Sequence, residues 1–572
     1  MRTVFFAVTK VLLISFLALK SLNAQEAKSI IKSKYLIEEK FSPDNHEYQY
    51  VTHQTFTPNP DDGKTYSTVH SDDYLWIPPN CKRLRGVLVF AQNVPEQWLA
   101  GLPVIRAACQ KTNMAILFGC RSQRLMSSVL GNKGEKTVYD RPKYQMIYLQ
   151  QILDTLAVVS GYKELSTVPL LPLGESMSLL LVYDLTNFAP DRCMAGILIK
   201  DANVGNTKSP SVPILATKGT GDEWSQQQFD VQEHWKVQAI ETAKLVQEMR
   251  ANIPEWPGSL LIEAGSAHFS CTYPMAEYFA EYIKAAAKAR LNPDGSDKLI
   301  PVDFNKGYVA GLVIPNCQPL KPKAYRDCTP EEKKLPWYFT KELAEAAYKE
   351  SANTDWNAKS AVGAFADSNN SPLPFDQSGI TKLEKPVYES DGATFKVSPI
   401  FLDSLPSDFK YGGGMAISHP DTKPFTGWLC GWLKPLGDDR FQVSLNRTYG
   451  YLGNFLLLSY PGGDGYRQTT SPLSFTVEPH KTGTPQIIAF DSIGTFSIKK
   501  KEIALHAKSS SGLPVQFFVK SGPAFIQGDK LIFTTIPVRS KLPIKVTVVA
   551  WQWGNMTVQT APMVERNFYL TK

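Results

Sequence analysis

Short apolar runs alternate with longer amphipathic stretches between residues 85 and 291. The runs at 85–91, 114–119, 168–173, 195–199, 212–217 and 259–264 are apolar almost throughout, as strands are when both faces of a sheet are covered. The stretches at 96–112, 143–160, 177–188, 231–249 and 273–290 predict helices. In the second of these, Met146, Ile147, Leu149, Ile152, Leu153 and Leu156 recur at helical spacing and make one apolar stripe. Strands alternating with helices predict an α/β fold with a mostly parallel sheet, six of whose strands lie in this part of the chain.

The pattern differs on either side. Residues 25–84 are polar and rich in Asp, Tyr and Thr, and predict an irregular or short-stranded lead-in to the α/β domain at 85–299. Residues 300–390 read as an irregular, Pro-rich connecting region with one helix near 340–351. From there short alternating runs separated by Gly and Pro turns predict all-β accessory domains: a β-rich domain over 391–482 and a β-sandwich over 483–572. No fixed-period repeat of the solenoid kind is present. Residues 1–24 have the form of a signal peptide. Arg2 and Lys10 are positive, Val11 to Leu19 is apolar apart from Ser15, and Leu22-Asn23-Ala24 fits a cleavage site before Gln25. No Cys stands at that point to take a lipid anchor, and no later run has about 18 uninterrupted apolar residues. The expectation is an exported protein, secreted or periplasmic, with no membrane span.

Composition adds limits. With 43% hydrophobic and 20% charged residues, the 572-residue chain belongs with globular proteins. The formal charge is +7; removing Arg2, Lys10 and Lys20 with the leader leaves 7 − 3 = +4. That is mild, and without a dense basic cluster it predicts no nucleic-acid partner. Lys499-Lys500-Lys501 reads as a solvated strand end. The cysteines are Cys81, Cys109, Cys120, Cys193, Cys271, Cys317, Cys328 and Cys430. Cys317 and Cys328 flank a Pro-rich stretch and are the first candidates for a disulfide, although spacing does not determine pairing. No CxxC or Cys/His cluster predicts a metal site, and no cofactor is implied.

The candidate chemistry lies at Gly174-Glu175-Ser176-Met177-Ser178, between an apolar strand and a helix. A sharp strand-to-helix turn lifts a serine hydroxyl clear of a sheet, and needs small residues two positions either side because the two backbones come close. A bare match of this kind arises by chance; the strand–turn–helix setting is what makes Ser176 a candidate nucleophile. Partners should then follow in the order acid, histidine. After the run at 212–217 comes Gly219-Thr220-Gly221-Asp222-Glu223, and after the run at 259–264 comes Gly265-Ser266-Ala267-His268-Phe269. Asp222, with Glu223 as the alternative acid, would orient His268, and His268 would take the Ser176 proton. The backbone N–H of Met177 would hold the oxyanion, with a second N–H from Gln92, Asn93 or Val94, of which Asn93 is preferred. Trp224 directly follows the acid loop and could stack on a sugar ring; Trp235, Trp256, Trp337 and Trp356 are weaker candidates, each more readily read as a core residue.

On these three motifs, residues 85–291 resemble the α/β-hydrolase superfamily. Ser178 stands where the family pattern has Gly. The resemblance implies ester, amide or thioester hydrolysis through an acyl-enzyme, and leaves the substrate open. The stretches Ser511-Gly512-Leu513-Pro514-Val515 and Ser521-Gly522-Pro523-Ala524 are similar to immunoglobulin-like modules of secreted bacterial proteins. An exported hydrolase with such modules looks most like a carbohydrate esterase removing acetyl or methyl groups from a plant polysaccharide or oligosaccharide, with the mild positive charge favouring an acidic glycan such as pectin. The elbow differs from the Gly-Cys-Ser-Arg form of glucuronoyl esterases. A secreted peptidase or lipase of the same fold, or a glycan-binding protein with an inactive hydrolase domain, are the alternatives.

Overall fold

A computed structural model describes residues 48–57, 68–120, 141–200, 203–207, 209–221, 234–269, 272–367, 369–376, 379–409, 412–447 and 453–572. Eight strands make the main sheet: β1 (Tyr50–Phe56), β2 (Val69–Trp76), β3 (Gly86–Ala91), β4 (Met114–Cys120), β5 (Leu170–Glu175), β6 (Gly196–Ile199), β7 (Ile214–Gly221) and β8 (Gly258–Ala267). Their order is β1-β2-β4-β3-β5-β6-β7-β8. From β4 through β8 all neighbours are parallel, and β2 joins β4 antiparallel. This is the sheet of the α/β-hydrolase fold, and small all-β sheets follow it.

The six parallel strands are those expected from the apolar runs. Every residue of β3, β5 and β6 is buried, which is why they lack alternation. The first two strands come from the stretch expected to be an irregular or short-stranded lead-in. Their inward positions include polar residues, among them Ser71 and Asp73, so the apolar signal is weak. The hairpin pairs in continuous register from Tyr50↔Leu75 to Phe56↔Val69 and extends the sheet at its antiparallel edge.

Seven helices matter for the layout: α1 (Val94–Leu99), α2 (Pro103–Thr112), α3 (Arg141–Ser160), α4 (Leu179–Phe188), α5 (His234–Asn252), α6 (Tyr273–Arg290) and α7 (Lys341–Asn353). The single helix expected over 96–112 is two. Leu102 precedes Pro103, and a residue before proline is driven out of the helical region; Leu102 has φ −64 and ψ 133. The proline then starts α2, where its missing N–H costs nothing. In the folded layer α2 packs on α6, and α3 on α4.

Beyond residue 292 the strands begin earlier than expected. Tyr308–Gly311, Leu320–Ala324 and Trp337–Tyr338 form a three-stranded sheet inside the region read as irregular. A four-stranded sheet contains Phe425–Cys430, Asn454–Tyr460 and Thr469–Phe475. The last 90 or so residues, whose length suits one sandwich, hold a four-stranded, a three-stranded and a two-stranded sheet. The disulfide expected between Cys317 and Cys328 does not form; both thiols are free. The strand Leu320–Ala324 and a 3-10 turn at Tyr325–Asp327 lie between them. Cys81, Cys109, Cys193 and Cys430 are also free and buried. Residues 1–24 lie outside the described residues. Among those described, no helix is long and apolar enough to cross a membrane.

Candidate active site

β5 ends at Glu175, a 3-10 turn takes up Ser176–Ser178, and α4 begins at Leu179. Ser176 has φ +52, in the left-handed region that non-glycine residues enter at a cost on the order of 1–2 kcal/mol. That backbone turns its side chain out of the sheet, and the residue is half-buried rather than sealed. A Cβ on Gly174 would stand 2.2 Å from the Ser178 carbonyl oxygen, so only glycine fits. Ser178, in the place of the family's second glycine, ties the turn together. Its hydroxyl lies 2.7 Å from the Glu175 carbonyl oxygen, accepts the Glu175 N–H at 3.1 Å, and bonds the Glu96 carboxyl. Glu96 Oε1 also accepts the Glu175 N–H at 2.6 Å.

His268 follows the last residue of β8, and its Nε2 lies 2.8 Å from Ser176 Oγ. The sequence separation is 92 residues; strand order alone brings the pair together. Only 13% of the His268 side chain is exposed. Phe269 packs edge-on against the imidazole at 4.8 Å and reaches Phe455 of the β-rich region at 5.9 Å. Glu175 is fully buried, and its Oε1 is 3.3 Å from His268 Nε2. A carboxylate therefore sits beside the nitrogen that faces Ser176. Sequence reading passed over Glu175 as the variable position of the motif. The available signal was an acidic residue ending an otherwise apolar buried strand, which demands a partner.

Asn93 begins α1, and its Oδ1 accepts the Val94 N–H at 2.9 Å. Its Nδ2 donates to both the carbonyl oxygen and the carboxylate of Glu175. Of the three N–H groups considered for a second oxyanion donor, that of Val94 is thus already engaged. Met177, the other such residue, has an exposed side chain beside Ser176. Burial pushes the Glu96 carboxyl well above the usual carboxylate range, in spite of its hydrogen bonds to Ser178 and the Glu175 backbone.

Asp222, Glu223 and Trp224 lie outside the described residues, which stop at Gly221 on the end of β7. Trp256 and Trp337 are core side chains, exposed by 0% and 2%, and do not make a sugar platform. Trp356 is half-buried and donates to the Val313 carbonyl. Among the described residues no group of three or more His, Cys, Asp or Glu could hold a metal ion.

The β-rich region reaches the same site. Gly265, three residues before His268, has φ +68, and a Cβ on it would stand 2.2 Å from the Gln468 carbonyl oxygen. Thr470 Oγ1 donates to the Gly265 carbonyl at 3.0 Å. Strand Phe425–Cys430 packs against α1 behind the elbow.

No protein-family model matches this sequence, and no curated protein matches it. Solved structures do. It is similar to an alpha-beta serine hydrolase homologue from Coxiella burnetii, with 11% identity and TM-score 0.25 over 41% of this chain and 98% of that one. It is similar to the siderophore hydrolase EstA from Aspergillus nidulans, with 9% identity and TM-score 0.27 over 41% and 94%. It is also similar to the S-formylglutathione hydrolase FrmB from Staphylococcus aureus, with 11% identity and TM-score 0.25 over 42% and 98%.

Proposed function

We propose that this chain is a serine hydrolase of carboxylic esters, with Ser176 as nucleophile and His268 as general base. The observation that carries the proposal is a serine at φ +52 on a strand-to-helix turn with its Oγ 2.8 Å from an imidazole nitrogen. In that arrangement His268 Nε2 takes the Ser176 proton as Oγ attacks the acyl carbon. The tetrahedral oxyanion forms at the start of α4, where the Met177 N–H and an N–H of the Gln92–Asn93 loop would receive it. His268 then returns the proton to the leaving alcohol, an acyl-Ser176 remains, and water repeats the two steps to release the acid. Asp222, or Glu223, is the proposed orienting acid. Glu175, against Nε2, adds negative charge where the imidazolium develops.

For the substrate we propose acetyl or methyl esters on a polysaccharide or oligosaccharide, pectic ones included, with Trp224 as a stacking surface. The leader-like residues 1–24, the immunoglobulin-like texture of 483–572 and the mild positive charge support an exported enzyme acting on an acidic glycan. The test is intact mass after treatment with a fluorophosphonate, beside Ser176→Ala. One adduct on the wild type and none on the variant is expected, followed by acetate or methanol release from pectin or xylan. No adduct on either protein would favour a binding protein with an inactive site.

A further inference from the structure

A charged pair that the reaction does not touch lies behind Ser176 and His268. Lys200 directly follows β6, with φ +58, and its side chain is wholly buried. Nζ donates to Glu263 Oε2 at 2.7 Å and to Ser266 Oγ at 2.6 Å. Glu263 belongs to β8 and is 5% exposed. Its other oxygen accepts the Thr272 N–H at 3.1 Å and the Thr272 hydroxyl at 2.5 Å. Thr272 in turn caps α6 by accepting from the Met275 N–H. The ion pair therefore holds Ser266 through Lys200 and Thr272 through Glu263, and His268 follows Ser266 by two residues. The same lysine reaches β7. Its backbone N–H donates to Thr217 Oγ1 at 3.2 Å, and its Nζ would be 2.8 Å from a Cβ on Gly219.

We propose that Lys200 and Glu263 are positioning residues that set His268 against Ser176, an inference that rests on the hydrolase reading for its catalytic consequence. A buried ion pair is weak support for stability, because desolvation offsets the attraction, and an apolar pair of similar volume does about as well. What an apolar pair cannot replace is the directed hydrogen bonding to Ser266 and Thr272. A displacement of the imidazole by a fraction of an ångström weakens proton transfer steeply. The pair ties the end of β6 to β7 and β8, and the histidine loop follows β8.

The test uses the full chain with K200M/E263M, read three ways: melting temperature, rate of fluorophosphonate labelling at Ser176, and the NMR signals of the His268 imidazole. The expected result is a melting temperature within about 4 °C of wild type, labelling slowed about tenfold or more, and displaced or broadened imidazole signals. Turnover of a soluble ester should lose kcat with KM little changed. A folded double variant with wild-type labelling and unmoved imidazole signals overturns the clamp. Should the double variant not fold, Ser266→Ala removes the lysine's bond to the loop and leaves the Lys200–Glu263 pair in place; about threefold slower labelling with displaced imidazole signals supports the clamp, and wild-type behaviour overturns it. A wild type that takes no label overturns the hydrolase reading instead. The imidazole signals then decide the clamp alone: movement in the variant supports it and none overturns it.

Discussion

Ser176 and Glu175 are consecutive in the chain and face the same imidazole nitrogen, so their substitutions should separate two effects. Ser176→Ala removes the proposed attacking oxygen, and ester turnover should fall by on the order of a thousandfold or more. Glu175→Gln keeps the size and the Asn93 contact but removes the acidic group 3.3 Å from Nε2. Steady-state kinetics should show kcat/KM down about tenfold, because the imidazolium of the transition state loses a close anion. An unchanged kcat/KM in Glu175→Gln would make the contact purely architectural. At this scale the turn that carries Ser176 was legible and the contact of Glu175 was not. Gly174 and Ser176 sit in a motif with a mechanical reason for each position, whereas Glu175 acquires its role only from a histidine 93 positions away (268 − 175).

At the scale of elements, the elbow and the edge hairpin invite direct tests. Gly174→Ala places a methyl group where the Ser178 carbonyl stands. The turn must open, and equilibrium denaturation should show a loss of about 2–4 kcal/mol. In β2, burial pushes the Asp73 carboxyl up from 3.8 to about 7, against the lowering effect of its hydrogen bond from Ser71. The unfolded chain releases this proton near pH 4 while the folded one keeps it to about pH 7. Unfolding free energy should therefore fall as pH rises from about 4 to about 7, by at most ~1.4 kcal/mol per unit from this group. The difference between wild type and Asp73→Asn, measured by denaturant titration across that range, should carry that slope; a flat difference would show that Asp73 ionises normally. The same aspartate explains why the sequence leaves this stretch open between irregular and short-stranded. Its inward polar positions conceal the period of two that marks a half-buried strand.

At the scale of the molecule, the β-rich region is part of the wall beside His268. One continuous core runs from Tyr48 to Leu570. The terminal sheets are tied to the α/β layer through Lys541 N–H to the Ser160 carbonyl at 2.9 Å and Arg539 to Glu164 at 2.9 Å. Calorimetry should accordingly give one unfolding transition, not one per domain. Gly265→Ala should disturb the contact with Gln468 and slow labelling of Ser176 without touching either reacting side chain, and a wild-type labelling rate in a folded Gly265→Ala would show that the β-rich wall does not bear on the site.

The sequence by itself determined the parallel strands, the helices that cover them and the positions of Ser176 and His268, because each rests on local signals: unbroken apolar runs, helical stripes and a turn that admits only small neighbours. Tertiary structure alone decided the rest. The two-strand extension of the sheet, the 2.8 Å approach of Ser176 to His268, the placement of Glu175 against Nε2 and the Lys200–Glu263 pair all join residues far apart in the chain. No local pattern encodes such contacts; they exist because strand order brings the ends of β5, β6 and β8 to one edge of the sheet.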